Sequence, residues 1–342
     1  MNLADRIAQG RAAPADGGAA SGGHVESQGA ARCAALIRRC PLRFVLSDDL
    51  TRLCGELAYS RGAREVACAD LLRVPCQSLW VEWCNAPWEA ALKECGLRSD
   101  AAPPGGRRGA LIAASADGRR ATVRTFWTHG EQALASSMEA YLDFDTPAGE
   151  EPEAPDGYTG QAFRVCDATR RQEDLLGRCV RFRYERSWAS YYADARLNAV
   201  EQRALLQHAL GTVALDLPLL FAFLLLLASR ASLPREVQTL EQLNRARRRR
   251  GKPALLDYIQ VRSPILPGYP PAHAADSGSL RRTPRLHHVR GHLVRRGSQL
   301  FWRVPHLRGN ARFGAVHART VTWTFERARR SPEVQGLPQG GV

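Results

Sequence analysis

Apolar positions recur with two different periods along this chain. Ser78-Leu79-Trp80-Val81-Glu82-Trp83, aromatic and β-branched between Pro75 and Pro87, predicts a strand. Ala110–Ala113 and Ala121–Trp127 flank Ala116-Asp117-Gly118, and Asp-Gly between two apolar runs predicts a hairpin, because glycine accepts the positive φ of the turn. Two more strands are expected at Met138–Phe144 and Ala162–Cys166, separated by the acidic, Pro/Gly-rich loop Pro147–Gly160. An amphipathic helix is expected over Arg61–Leu72, and order is expected to begin near Ala35-Leu36-Ile37. Residues 70 to 190 thus read as a mainly antiparallel α+β unit.

The period then becomes helical. Ala199–Leu210 and Leu215–Arg230 predict a helical pair broken near Gly211, and Arg235–Arg250 predicts a third helix with Val237, Leu240 and Leu243 on one stripe and Gly251 as its stop. Strands follow at Asp257–Val261, Leu300–Val304 and Thr320–Phe325, with a Pro/Gly-rich linker before the last two. The fold class expected is α+β: a mainly antiparallel N-terminal unit, a helical middle and a small basic C-terminal β module. The boundaries expected are a disordered low-complexity tail over 1–32, an α+β domain over 33–196, helices plus a strand over 197–262, a linker over 263–280, the basic module over 281–330 and a disordered tail over 331–342.

Of the 342 residues, 44% are hydrophobic and 24% charged, which excludes a wholly disordered chain and fibrous repeats. Nine cysteines (Cys33, Cys40, Cys54, Cys68, Cys76, Cys84, Cys95, Cys166, Cys179) include no C-x-x-C, so neither a zinc ribbon nor a redox motif is written here, and they read as small buried thiols. The start, MNLADRIAQGRAAPADGG, lacks the apolar stretch of a secretory signal, and a cytoplasmic location is expected. Leu217–Ala228 has twelve residues without a polar side chain, short of the roughly 20 that a membrane span needs. Extension backwards would enclose Asp216, so a core helix and no membrane contact are expected. Trp80, Trp83 and Trp88 flank Glu82 and read as inward-facing aromatics rather than a site. Pro103–Arg108 pairs glycines with arginines but reads as loop punctuation, because no helix pattern follows to bind an anion.

Charge changes the picture most. The formal net charge is +14, and residues 281–330 hold thirteen arginines against one acid, Glu326, a net of +12. Arg245–Lys252 adds six more cations upstream. A dipole cap explains one or two of Arg247, Arg248, Arg249 and Arg250 better than it explains four. Arg outnumbers Lys 46 to 2, a usage that GC-rich coding also produces, so the clustering is informative and the choice of Arg is not. Such concentrated charge calls for a polyanion, and a phosphate backbone is the commonest.

Five of nine histidines (His287, His288, His292, His306, His317) lie in the same segment. A metal site is not expected there, since no cysteine and almost no carboxylate accompany them and the arginines would repel a cation. Nor does any phosphate-loop, dinucleotide or zinc-protease motif occur.

Arg282-Thr283-Pro284-Arg285-Leu286-His287-His288-Val289-Arg290-Gly291-His292-Leu293-Val294-Arg295-Arg296, followed by Phe301-Trp302-Arg303-Val304-Pro305, resembles the C-terminal module of a group of uncharacterised bacteriophage and prophage proteins. Those carry a pattern close to R-S-P-R-x-H-x-R-R-G-H-x-R-R, a short Gly turn and W-V-x-P. The helix end Leu243–Pro253 is similar to the same group, and the likeness spans residues 235 to 310. Here Thr283 stands in place of Ser, Val289 in place of Arg, and Arg303 where an apolar residue is usual. The resemblance implies a phage origin and supplies no mechanism.

The reading from sequence is therefore non-enzymatic nucleic-acid binding, to DNA or RNA and without a cofactor. Arg285, Arg290, Arg295, Arg296 and Arg303 would make phosphate contacts, helped by Arg247–Arg250, with His287 and His292 as accessory donors and Trp302 as a stacking platform. The alternatives are a metal-independent nuclease using His287, His288 or His292, and a phage assembly or regulatory protein whose basic tail docks on an acidic protein partner.

Overall fold

The strand Ser78–Cys84 decides the architecture. Leu79, Val81 and Trp83 point to one side and Trp80 and Glu82 to the other, and all five are fully buried, so the sheet must be covered on both faces. The computed structural model describes residues 1–10, 21–59, 71–94, 106–146, 155, 180–185, 188–190, 198–229, 233–264, 285–289, 292–297, 299–303, 306–308 and 310–315. Its main sheet has eight strands: β1 (Leu42–Leu46), β2 (Ser78–Cys84), β3 (Arg107–Ala114), β4 (Arg120–His129), β5 (Gln132–Asp143), β6 (Val180–Tyr184), β7 (Arg235–Gln238) and β8 (Tyr258–Val261). Their order is β6-β5-β4-β3-β2-β1-β8-β7.

β1 runs parallel to both β2 and β8, and the remaining neighbours are antiparallel. The sheet is thus mixed, which corrects the mainly antiparallel unit expected from sequence. The cause is a crossover: helix α3 (Asp48–Tyr59) lies between β1 and β2, and only such a connection lets consecutive strands run parallel. β7 and β8, from the segment after residue 196, extend this same sheet.

One face is covered by α3, α4 (Asn85–Glu94), α5 (Ala199–Ala214) and α6 (Leu217–Ala228), around a cluster that includes Phe44, Val81, Trp83, Val123 and Phe223. α6 is apolar all round and buried from Leu217 to Leu226, as a core helix should be. No helix among the described residues is long and apolar enough to cross a membrane. α5 begins with a capping box: the Asn198 side chain accepts from the Val200 and Glu201 amides while Glu201 accepts from the Asn198 amide. The break between α5 and α6 lies at Leu215-Asp216, not at Gly211, which is buried within α5.

The opposite face is covered by α1 (Leu3–Ala8) and α2 (Ser21–Arg39), packed on Trp80, Leu111, Phe126 and Ala135. Within 1–10 and 21–32 the expected disordered tail is therefore replaced by helix. Small side chains suffice here: Leu3 and Ile7 on α1, and Ala30, Cys33, Ala34 and Ile37 on α2, fall at helical spacing toward the sheet.

The predicted hairpin joins β3 and β4, with Gly118 at φ 71° in its turn. Gly109 is required for a different reason, because a Cβ there would lie 2.5 Å from the Trp80 ring. Cys33, Cys40 and Cys54 are buried free thiols, and burial pushes the Cys54 thiol well up. The helix expected at Arg61–Leu72, the strands at Ala162–Cys166 and Thr320–Phe325, and the tail over 331–342 lie wholly or almost wholly outside the described residues.

Two adjacent arginines open β3 and point to opposite faces. Arg107 pairs with Glu82, whose Oε1 also accepts from the Leu3 amide (2.7 Å) and whose Oε2 accepts from the Ala4 amide (3.1 Å) and Trp80 Nε1 (3.2 Å). Glu82 therefore holds the first turn of α1 on the sheet. Arg108 donates from Nε (3.2 Å) and a terminal nitrogen (2.8 Å) to Asp216 Oδ2, and both side chains are buried at the start of α6. Burial pushes the Asp216 carboxyl up to about 6, against the pull of the Arg108 guanidinium.

Removing one partner of that pair leaves a buried charge, whereas removing both leaves an apolar contact. Asp216→Ala is expected to cost about 3–5 kcal/mol in chemical denaturation, and Arg108→Met with Asp216→Leu far less, or nothing. Asp216 holds its proton more tightly folded than unfolded, so it contributes stability below pH about 4 that is lost as pH rises to about 6. The double variant should lack that component of the pH profile; an identical profile in both proteins would refute the assignment.

Candidate nucleic-acid interface

The arginines divide into two populations. Several in and beside the sheet are matched: Arg107 with Glu82, Arg108 with Asp216, Arg119 with Asp145, and Arg183 with Glu139. Others, on and after α7 (Glu241–Arg249) and on the hairpin that follows residue 291, stand out in the open. Among the described residues, no carboxylate pairs with Arg248, Arg249, Arg250, Lys252, Arg296, Arg303 or Arg308, and all of them are exposed.

α7 is shorter than the helix expected over Arg235–Arg250. Arg235–Gln238 forms β7 instead, pairing with β8 in the register Arg235↔Val261 to Gln238↔Tyr258. The chain restarts as helix because the Asp257 carboxylate accepts the Leu240 amide at 2.7 Å. The apolar stripe that predicted one long helix does not bury itself: Val237 is 66% and Leu243 49% exposed.

α7 is instead held by a polar anchor. Asn244 donates to the Leu255 carbonyl (2.9 Å) and accepts from the Leu255 amide (2.8 Å), and it is the buried residue of the helix. At the C-terminus Gly251 adopts φ 65° and Lys252 donates its amide to the Arg247 carbonyl (2.9 Å). Arg245 pairs with Glu241, Arg247 reaches the Pro253 carbonyl, and Arg248 Nε donates to the Asn244 carbonyl. Arg249, Arg250 and Lys252 extend from that last turn.

The basic C-terminal module forms two small sheets. β10 (His292–Arg296) and β11 (Gln299–Arg303) make a hairpin with Gly297 at φ 60° in its turn, while β9 (Arg285–Val289) lies between β12 (His306–Arg308) and β13 (Asn310–Ala315). In the hairpin, Leu293 is paired with Trp302 and Arg295 with Leu300; Leu293, Leu300 and Trp302 are buried in the main apolar cluster, and β11 lies against α6. The other face carries Val294 opposite Phe301, Arg296 opposite Gln299, and Arg303. The Arg296 guanidinium lies 6.0 Å from the centre of the Phe301 ring, at the limit of a cation–π contact.

The candidate residues from sequence are therefore distributed. Arg295, Arg296 and Arg303 are exposed on the hairpin, with Arg295 Nε donating to the Gly297 carbonyl at 2.8 Å. Arg285, His287 and His288 lie on β9, and Arg290 lies outside the described residues. Trp302, expected as a stacking platform, is only 7% exposed and belongs to the core, because strand alternation turns it toward α6. Phe301 takes the outward position, and the alternation of Leu300 and Trp302 around it was the available signal.

Among the described residues, strand register sets no two histidines opposite each other: His287 is paired with Arg308, His288 with Leu307, His306 with Val289 and His292 with Arg303. Among the described residues, no group of three His, Cys, Asp or Glu side chains could hold a metal ion. Glu82, between Trp80 and Trp83, is occupied with α1. Arg107 and Arg108 are committed to buried carboxylates rather than to a phosphate. No protein-family model matches the chain, and comparisons with curated proteins and with solved structures find no match either.

The anchor of α7 gives a direct expectation. Asn244→Ala removes two hydrogen bonds and should cost about 1–3 kcal/mol locally. Amide exchange over α7 and Leu255 should accelerate relative to the central strands; unchanged exchange there would refute Asn244 as the anchor.

Proposed function

We propose that this protein binds nucleic acid without acting on it, and that it does so mainly through phosphate. The carrying observation is a contrast among the arginines: Arg107, Arg108, Arg119 and Arg183 have carboxylate partners, while among the described residues no carboxylate pairs with the exposed Arg249, Arg250, Lys252, Arg296 or Arg303. Arg248, Arg249, Arg250 and Lys252 offer one contact surface, and Arg296 and Arg303, on one face of the hairpin, another. Arg308, paired in register with His287, adds a further cation. Exposed positive charge gathered in this way is offset best by a phosphate backbone, which Arg binds in bidentate fashion. In this reading Arg285, Arg290, His287 and His292 are accessory donors, and a phage or prophage origin fits the resemblance over residues 235–310.

Each phosphate neutralised releases counterions, so affinity should fall steeply with salt. A labelled oligonucleotide titrated by anisotropy should weaken by about a hundredfold or more between about 50 and about 200 mM salt. Replacing Arg249 and Arg250, or Arg296 and Arg303, by Gln should each flatten the log–log slope by about two. Binding that ignores salt, or slopes untouched by both substitutions, would overturn the proposal.

A further inference from the structure

We infer that Cys40 and Cys76 close a reversible disulfide under oxidising conditions, a covalent staple across the crossover that joins β1 to β2. The two thiols converge on one residue. Cys40 Sγ lies 3.0 Å from the Ser78 hydroxyl, and Cys76 donates its thiol to the Ser78 carbonyl at 3.0 Å. Strand register brings the backbones level as well. β1 and β2 are parallel neighbours with Leu42 opposite Leu79, so Cys40 comes two residues before that pair and Cys76 three before it. Neighbouring strands run about 4.8 Å apart, inside the Cα separation of about 4.4–6.8 Å that a disulfide bridges. Both approaches are pinned: Arg43 donates to the Cys40 carbonyl (2.6 Å) and the Ala114 amide to the Gln77 carbonyl (2.9 Å).

The pair is unequal in a way that fits stepwise oxidation. Cys76 is half-buried and Cys40 only 2% exposed, so a small peroxide meets Cys76 first. Its sulfur takes one peroxide oxygen as a sulfenic acid, the O–O bond breaks, and the other oxygen leaves as water with the thiol proton. Cys40 then attacks that sulfur, the S–O bond breaks, and a second water leaves with the Cys40 proton. Two thiols have then given two electrons to one peroxide. Burial pushes both thiols up, which keeps them protonated and slow to react with weaker oxidants. Cys33, by contrast, is engaged by Arg124, which donates to its sulfur at 3.3 Å. The bond closes the loop from 40 to 76, which holds all of β1 and α3, and restricting the unfolded chain there stabilises the folded one. Neither cysteine belongs to the cationic surfaces, so this site is independent of the nucleic-acid reading.

The test treats the full, reduced chain with hydrogen peroxide, blocks the remaining thiols with iodoacetamide and digests it with trypsin under non-reducing conditions. A species joining the peptides Cys40–Arg43 and Val74–Lys93 should appear, lighter than the two together by two hydrogens, and should vanish on adding dithiothreitol. Fragmentation should place the bond at Cys76 and not at Cys84 of the same peptide. The oxidised parent should unfold about 5 °C higher than the reduced one. Cys40→Ser, which keeps a hydrogen-bonding partner for Ser78, and Cys76→Ser should each lose both the linked species and that upward shift. A Cys76 that ends as sulfinic acid, pairs with another cysteine or stays free would overturn the inference, and so would a linked species that leaves the unfolding temperature unchanged. Should a serine variant fail to fold, the peptide map and unfolding shift of the parent decide alone.

Discussion

Two neighbouring arginines organise this molecule. Arg107 and Arg108 open the same strand, and pleating sends them to opposite faces of an eight-stranded sheet. Each must be neutralised where it is buried. On one side Glu82 does so while gripping the first turn of α1, and on the other Asp216 does so at the start of α6. A single break in strand polarity thereby fastens a helix to each face. The cost is high, because two carboxylates are held out of water, and a packed apolar substitute for the Arg108–Asp216 pair would serve stability as well. What the pairs add is position: α1 and α6 cannot slide without leaving a charge unmatched.

The position of α6 in turn determines what the C-terminal strands can present. β10 and β11 use one face to complete the apolar cluster beside α6, which spends Leu293, Leu300 and Trp302 on packing. Alternation then leaves Arg296, Phe301 and Arg303 outward. The basic hairpin is thus an extension of the core rather than a tail, and its chemistry is that of a flat, supported surface. α7 is the contrasting case. It exposes Leu243 and its arginines together and is held through one asparagine and one aspartate, Asn244 and Asp257. Its surface is therefore polar in its attachment as well as in its display.

Much of the core was legible from local pattern. Strand β2, the Asp117-Gly118 hairpin and the buried character of α6 follow from short-range rules about alternation, turn residues and the length of an apolar run. Asp216 precedes a core helix, as its sequence suggested, and its partner Arg108 explains how it can be buried at all. The candidate interface was legible only as charge, and Arg249, Arg250, Arg296 and Arg303 are exposed. It was misread in detail at Trp302, where ring size suggested a platform and strand parity placed the indole inside.

By itself the sequence determined where charge concentrates, which runs are apolar and where the chain turns, since these depend on neighbours within a few residues. The tertiary structure decided three further things. β1 is parallel to β2 and β8, because a crossover and a return of over 200 residues bring them together; this is a choice among pairings that local pattern cannot rank. Residues 3–8 are a helix because Glu82, some 80 residues away, supplies acceptors to its first amides. And Arg235–Gln238 is a strand because the edge of β8 offered hydrogen bonds that outweighed its helical spacing. In each case a distant partner satisfied backbone groups that the local sequence could not.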